Sequence, residues 1–286
     1  MKKNALLSAL LAAAVSLSLC ACSDNSGSDT QETAKPEATQ DLHIYESAEG
    51  VMKTSKRYNS NGLLFSTYVY DYDEYGREVR ETALGVNDAP LSKTEYEYDD
   101  AGRVIKETSY LATGPEEFEE DHSTAYEYDA SGNKIKETVS EHGEVSSQTE
   151  FTYDGTKLIN EKYYEGAELL NERSYEYDEA GKVSKCVMTD NIEGTTQEEA
   201  RSYDEAGRLI KSVVTSGGAV VSTTEYTYDE HGNELSVTIT NSSGETVSKT
   251  EYEYTYDIPG NITKCVTKIN GEQDSVTENE WEYVKG

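Results

Sequence analysis

A chain of 286 residues could hold one or two ordinary domains, yet only 35% of it is hydrophobic and its aromatics are 23 Tyr against 3 Phe and 1 Trp. That composition excludes a conventional aliphatic-cored sandwich, because Thr, Ser and Glu fill many strand positions. With 25 basic against 56 acidic residues, the net charge of -31 also argues against a nucleic-acid partner.

Residues 1–21 open on Lys2 and Lys3, continue as an apolar stretch from Ala5 to Leu19, and end on a small residue before a cysteine. This is the pattern of a secretory signal, too short and wrongly flanked for a membrane-spanning helix. Leu19-Cys20-Ala21-Cys22 resembles a bacterial lipobox, which implies acylation of Cys22 and a membrane anchor in the cell envelope. The alternative is an ordinary cleaved signal that leaves Cys22 as a thiol. Residues 22–41 are polar and without periodicity, and read as a disordered tether. The rest, 42–286, reads as one repeat domain with order starting near Leu42 and a first strand at residues 51–58.

The repeat kernel is aromatic-x-Tyr-Asp-x-x-Gly: Tyr70–Gly76, Tyr96–Gly102, Tyr126–Gly132 and Tyr175–Gly181, with weaker copies from Arg201, Tyr226 and Tyr254 and a short one at Phe151. Trp281 opens a last copy that stops at its turn. Strict alternation before the turn predicts a strand. Asp-x-x-Gly predicts a type I turn with glycine in the left-handed region, which makes a three-residue loop with a G1 bulge. This register sets Asp99 opposite Arg103, Tyr98 opposite Val104, and Tyr96 opposite Lys106. Asn59–Gly62 repeats the turn with Asn in place of Asp.

The turn aspartates recur every 24 to 30 residues, the footprint of a strand–turn–strand–turn unit. Consecutive hairpins with short loops give an all-β antiparallel meander. Because return strands such as 104–109 carry charge on both faces, the expectation is a long twisted or curled, largely single-layer sheet. In an open meander Cys186 and Cys265 are six strands apart, roughly 29 Å at about 4.8 Å per strand, so both are expected as thiols unless the sheet curls round to bring them together.

No chemistry emerges from the motifs. Acidic pairs such as Glu95/Glu97 recur at repeat positions, whereas a catalytic pair is unique and asymmetrically buried. Asp71-x-Asp73 with Gly76 resembles the opening of a calcium loop, but Tyr75 replaces a ligand and no Glu closes it. The four histidines have no zinc spacing. Neither enzyme activity nor a cofactor is expected.

The run Tyr96 to Thr108, YEYDDAGRVIKET, with its further copies, resembles the YD-repeat (RHS-repeat) family over roughly residues 51–286. The resemblance implies antiparallel strands that spiral into a hollow shell, and an extracellular scaffold that binds something, carbohydrate included. About eight units are few to close a cavity, so encapsulation is not expected. The functional expectation is an envelope-anchored scaffold presenting a glycan- or protein-binding surface. Its contact platform would be Tyr70, Tyr72, Tyr96, Tyr98, Tyr126, Tyr128, Tyr175 and Tyr177 on one face, with Lys106, Lys136 and Lys185 between. The rival readings are a purely structural spacer or shell fragment, in which the same rings only cover the sheet, and an immunity-like partner of a secreted toxin.

Overall fold

The computed structural model describes residues 51–282 except Pro259; the signal, Cys22, the tether, the expected start of order near Leu42 and residues 283–286 lie outside the described residues. The strands are β1 (Val51–Asn59), β2 (Leu64–Tyr72), β3 (Glu78–Leu84), β4 (Pro90–Tyr98), β5 (Val104–Ala112), β6 (Phe118–Tyr128), β7 (Lys134–Glu141), β8 (Glu144–Asp154) and β9 (Lys157–Glu165). They continue as β10 (Glu168–Tyr177), β11 (Val183–Asp190), β12 (Thr195–Tyr203), β13 (Leu209–Ser216), β14 (Ala219–Tyr228), β15 (Glu234–Asn241), β16 (Thr246–Tyr256), β17 (Ile262–Ile269) and β18 (Glu272–Glu282). Each strand pairs with its neighbours in sequence, as a meander requires.

The layer is single, but the sheet is closed. β18 returns to β1 with pairs running from Val51↔Glu282 to Asn59↔Ser275, while β1 also pairs with β2. The result is an 18-stranded antiparallel barrel, which corrects the expectation of an open ribbon and of too few units to enclose a cavity. Eighteen strands at about 4.8 Å give a backbone ring roughly 28 Å across before strand tilt widens it.

The cause of closure lies in the register. Near its start, every strand except β12 carries one extra residue relative to its partner. A bulge bends its strand and increases local twist, so one per strand coils the sheet until its edges meet. In β5 the extra residue is Ile105. The turn itself is as expected: the Asp99 N–H donates to Arg103 O at 2.9 Å, the Gly102 N–H to Asp99 O at 2.9 Å, and Tyr98 pairs with Val104. Beyond Ile105 the register slips, so Lys106 pairs with Glu97 and Tyr96 with Glu107, not Lys106. The same slip sets Lys136 opposite Glu127 and Lys185 opposite Glu176. The three lysines therefore stand on the face opposite the tyrosines.

Convergence tells which face is inside, because side chains on a concave wall crowd and those on a convex one splay. Tyr175, Cys186, Glu199 and Val214 lie in one registered row and are all buried, whereas Ile105, Ile135 and Ile210 stand exposed on the other face. The paired tyrosines thus line the lumen. The outer face carries half-exposed ion pairs: Asp71–Arg80 at 2.6 Å, Lys185–Glu198 at 3.0 Å and Lys211–Glu225 at 3.2 Å.

The two rims differ. The turns at Asp73, Asp99, Asp129, Asp154, Asp178, Asp204, Asp229 and Asp257 share one rim, where β1 also begins and β18 ends. The variable loops form the other, together with the Asn59 turn, which has the expected hydrogen bonds but sits at the opposite end from its aspartate counterparts. Cys186 and Cys265 are both thiols on the lumenal face.

Candidate functional site: the tyrosine-lined lumen

Each unit builds its piece of wall from the turn upward. The aspartate Oδ1 accepts backbone N–H bonds inside the turn, as Asp99 does from Ala101 and Arg103, both at 2.9 Å. Its Oδ2 takes the Arg103 Nε–H at 2.8 Å. Partial desolvation raises the Asp73 and Asp99 carboxyls, but the backbone and guanidinium hydrogen bonds outweigh it and hold both below the ordinary carboxylate range. Asp71 and Asp73 are engaged by Arg80 and Arg77, so their carboxylates already serve the hairpin.

The cation then leans toward the next unit. Arg77 lies 4.6 Å from the Tyr98 ring centre, Arg103 4.6 Å from Tyr128, Lys157 5.0 Å from Tyr177 and Arg208 4.9 Å from Tyr228. Those same tyrosines reach across to the preceding unit. The Tyr98 hydroxyl donates to Glu78 O at 2.5 Å, Tyr128 to Val104 O at 2.7 Å, Tyr177 to Leu158 O at 2.6 Å and Tyr203 to Val183 O at 2.8 Å. Tyr72, Tyr153 and Tyr228 make the matching bond, whereas in the last two units the first aromatic of the kernel takes it over: Tyr254 donates to Glu234 O at 2.8 Å and the Trp281 Nε1–H to Ile262 O at 3.0 Å. In β5 the accepting carbonyl, Val104, lies beyond the last registered pair with β6, Lys106↔Ala125. A phenol completes the backbone pairing that the bulge interrupts, which is why a tyrosine recurs here and a phenylalanine would not serve.

All eight expected contact tyrosines therefore share one face, and it is the inner one. Tyr72, Tyr98, Tyr128 and Tyr177 commit their hydroxyls to backbone carbonyls. Tyr70, Tyr96 and Tyr126 stand farther from the turn, opposite Glu81, Glu107 and Glu137. Burial first, and the neighbouring carboxylates second, push these three phenols well above their usual value. Tyr175 faces Cys186 and is 5% exposed.

The lumen also holds charged groups that the motifs did not single out. Arg201 and Glu199 form a buried pair at 2.9 Å, and Glu199 accepts the Ser212 hydroxyl at 2.5 Å. On the opposite wall, burial and then the negative charge of Glu81 and Glu107 raise the Glu78 carboxyl to about 7. The signal for Glu78 was present in the repeat: it occupies the position that Val104, Leu158, Val183, Leu209 and Ile262 fill in other units and that Lys134 and Glu234 fill in two more. Among the described residues, no three acidic, histidine or cysteine side chains are grouped to hold a metal ion.

Residues 26–268 match the family model described as Teneurin YD-shell. Among solved structures the chain is similar to a porin-like protein from Bacteroides uniformis, at 12% identity over 81% of this chain and 98% of that one, with a TM-score of 0.45. It is also similar to the Tc holotoxin pore of Photorhabdus luminescens, at 14% identity over 76% of this chain and 15% of that much longer one, with a TM-score of 0.27. A porin-like protein from Bacteroides vulgatus is similar at 12% identity over 82% and 99% of the two chains, with a TM-score of 0.36. No curated protein matches. The family match runs from before β1 into β17, over the same iterated kernels that build the barrel wall, and the chain belongs to the Teneurin YD-shell family.

Proposed function

We propose that the protein is a non-catalytic shell-like scaffold, held in the cell envelope by a lipid on Cys22, with its variable-loop rim turned away from the membrane toward a protein partner. The observation that carries this reading is the position of the chain ends. β1 starts and β18 finishes at the aspartate-turn rim, and on this reading the anchor lies on that side and the other rim faces outward. The outward rim bears apolar side chains that the barrel does not use, among them Leu63 and Phe65 (both 64% exposed) and Ile192 (60%). Catalysis finds no support in the lumen, where the hydroxyls of half the eight tyrosines satisfy the backbone. A glycan platform would have to work from inside, through the rings of Tyr70, Tyr96 and Tyr126. The commitment of the other hydroxyls favours the rings as wall.

Palmitate labelling of wild type and Cys22→Ser tests the anchor: the variant should lose both label and membrane retention, and equal labelling would overturn it. Orientation is read on intact cells by thiol labelling of Ile192→Cys and Ala101→Cys. The first should react faster with an impermeant maleimide, and a reversed order would place the aspartate-turn rim outward.

A further inference from the structure

One stretch of the lumenal wall gathers acids around a site that five other units keep apolar, with Lys134 in β7 and Glu234 in β15 as the polar exceptions. The bulge at Val79 turns both Glu78 and Glu81 inward, although they are three residues apart. Tyr70 and Tyr72 face Glu78 from β2, Glu81 from its own strand, Tyr96 and Tyr98 from β4, and Glu107 from β5. All of these are acids or phenols. The cation at this corner, Arg77, donates to Asp73 at 2.6 Å and stacks on Tyr98. Glu78 Oε1 is buried without a hydrogen-bond partner, while the main-chain carbonyl of the same residue holds the Tyr98 hydroxyl.

We propose that Glu78 is a proton-operated latch in the barrel wall: protonated, it lets β2 to β5 close tightly, and when its proton passes to lumenal water the wall loosens there. A neutral carboxyl fits a position that five other units fill with an aliphatic side chain. A carboxylate there has no counter-charge, and it faces Glu81 and Glu107 across a poorly solvated wall. Burial with those two neighbours brings its titration up to about 7 from the ordinary carboxylate value of 4.5, inside the range over which an envelope protein meets changing pH.

The sign follows from proton counting. Below the ordinary carboxylate range, closed and open walls both hold the proton and Glu78 costs nothing. From there up to about 7 only the closed wall keeps it, so closure weakens as pH rises; above about 7 the full cost is present. With these two values, linkage gives about a tenfold rise in the opening equilibrium of this wall between pH 6 and pH 8.

Amide hydrogen exchange on the mature full-length protein in detergent, corrected for intrinsic rates, reads that equilibrium strand by strand. In wild type, β2 to β5 should lose about tenfold protection from pH 6 to pH 8 while β11 to β14 lose none. Glu78→Gln should remove most of the difference, with Glu81, whose carboxyl burial also raises, keeping the remainder. Should the glutamine variant fail to fold, Glu78→Val, the residue type at positions 104 and 183, reports the same point. An equal pH response in both walls, or one that survives undiminished in these variants, would overturn the latch.

Discussion

The wall at β2 to β5 and the wall at β10 to β13 are the same construction with opposite linings. β3 and β11 both follow an aspartate turn, both carry a bulge at their second residue (Val79 and Ser184), and both offer their first carbonyl to a tyrosine hydroxyl. Yet where β3 turns Glu78 and Glu81 inward, β11 turns Val183 and Cys186, each 2% exposed and packed with Tyr175, Leu158 and Tyr177. The backbone geometry is set by contacts that end on main-chain atoms, so it is indifferent to what the lumenal side chain is. A repeat built this way holds its shape while its inner surface varies from packed core to titratable patch.

The largest effect that would sharpen the contrast between inner and outer surfaces lies at Arg201. It is 5% exposed by side chain beside Glu199 at 7%, so Arg201→Met strands a buried carboxylate and should cost about 3–5 kcal/mol in urea unfolding. Arg80, paired with Asp71 on the outer face where both are 46% exposed, should cost less than about 1 kcal/mol when changed to Met. Similar losses at the two sites would mean that the lumen is as well solvated as the exterior, and the inside–outside distinction would fall.

Those contrasts were unevenly written in the sequence. The turns were legible because their chemistry is local: Asp99 closes on Arg103 and Gly102 sits at φ +80, as Asp-x-x-Gly requires. The meander and the shared face of the tyrosines followed from alternation. Closure was not legible, because it accumulates from a bulge in nearly every strand, and the bulged residue keeps no single identity: it is aliphatic at Val79, Ile105, Ile135, Ile159, Ile210 and Leu235, but Ser184 and Thr263 serve as well. The same slip moved Lys106 to the outer face and made Glu107 the neighbour of Tyr96. Sequence alternation cannot report a one-residue slip, since it assumes none. The role of the second tyrosine was hidden for a related reason: its partner is a carbonyl roughly a unit earlier, and backbone atoms leave no trace in composition.

A smaller effect tests whether the backbone contacts really ignore the lining. Tyr98→Phe and Tyr203→Phe delete the same bond in the acidic and the packed wall, leaving the Glu78 and Val183 carbonyls unsatisfied. Each should lose about 1–3 kcal/mol, the cost of orphaning a buried acceptor. A loss confined to one wall would show that the hydroxyl acts through its side-chain neighbours there, and the common construction would be wrong.

The smallest effect concerns the turns, where the two walls should be identical. Gly102 and Gly181 lie at φ +80 and +84, and a methyl group at Gly181 would meet only Lys157 Nζ at 3.9 Å, an ordinary contact. Replacing Gly181 by Ala should therefore cost only the backbone penalty of the left-handed region, about 1 kcal/mol, and replacing the buried Gly102 at least as much. At Gly207, also left-handed, the methyl would come within 3.0 Å of Lys182 Cε. A lysine stem can swing aside, so Gly207→Ala should exceed Gly181→Ala by no more than a few tenths of a kcal/mol. Ala101 and Ala180 occupy exposed middle positions of their turns, and serine at either should leave the urea midpoint unchanged. A Gly102→Ala midpoint equal to wild type would mean that the turn relaxes to another geometry. In that event the donor after each glycine, Arg103 in this unit, would no longer explain the register.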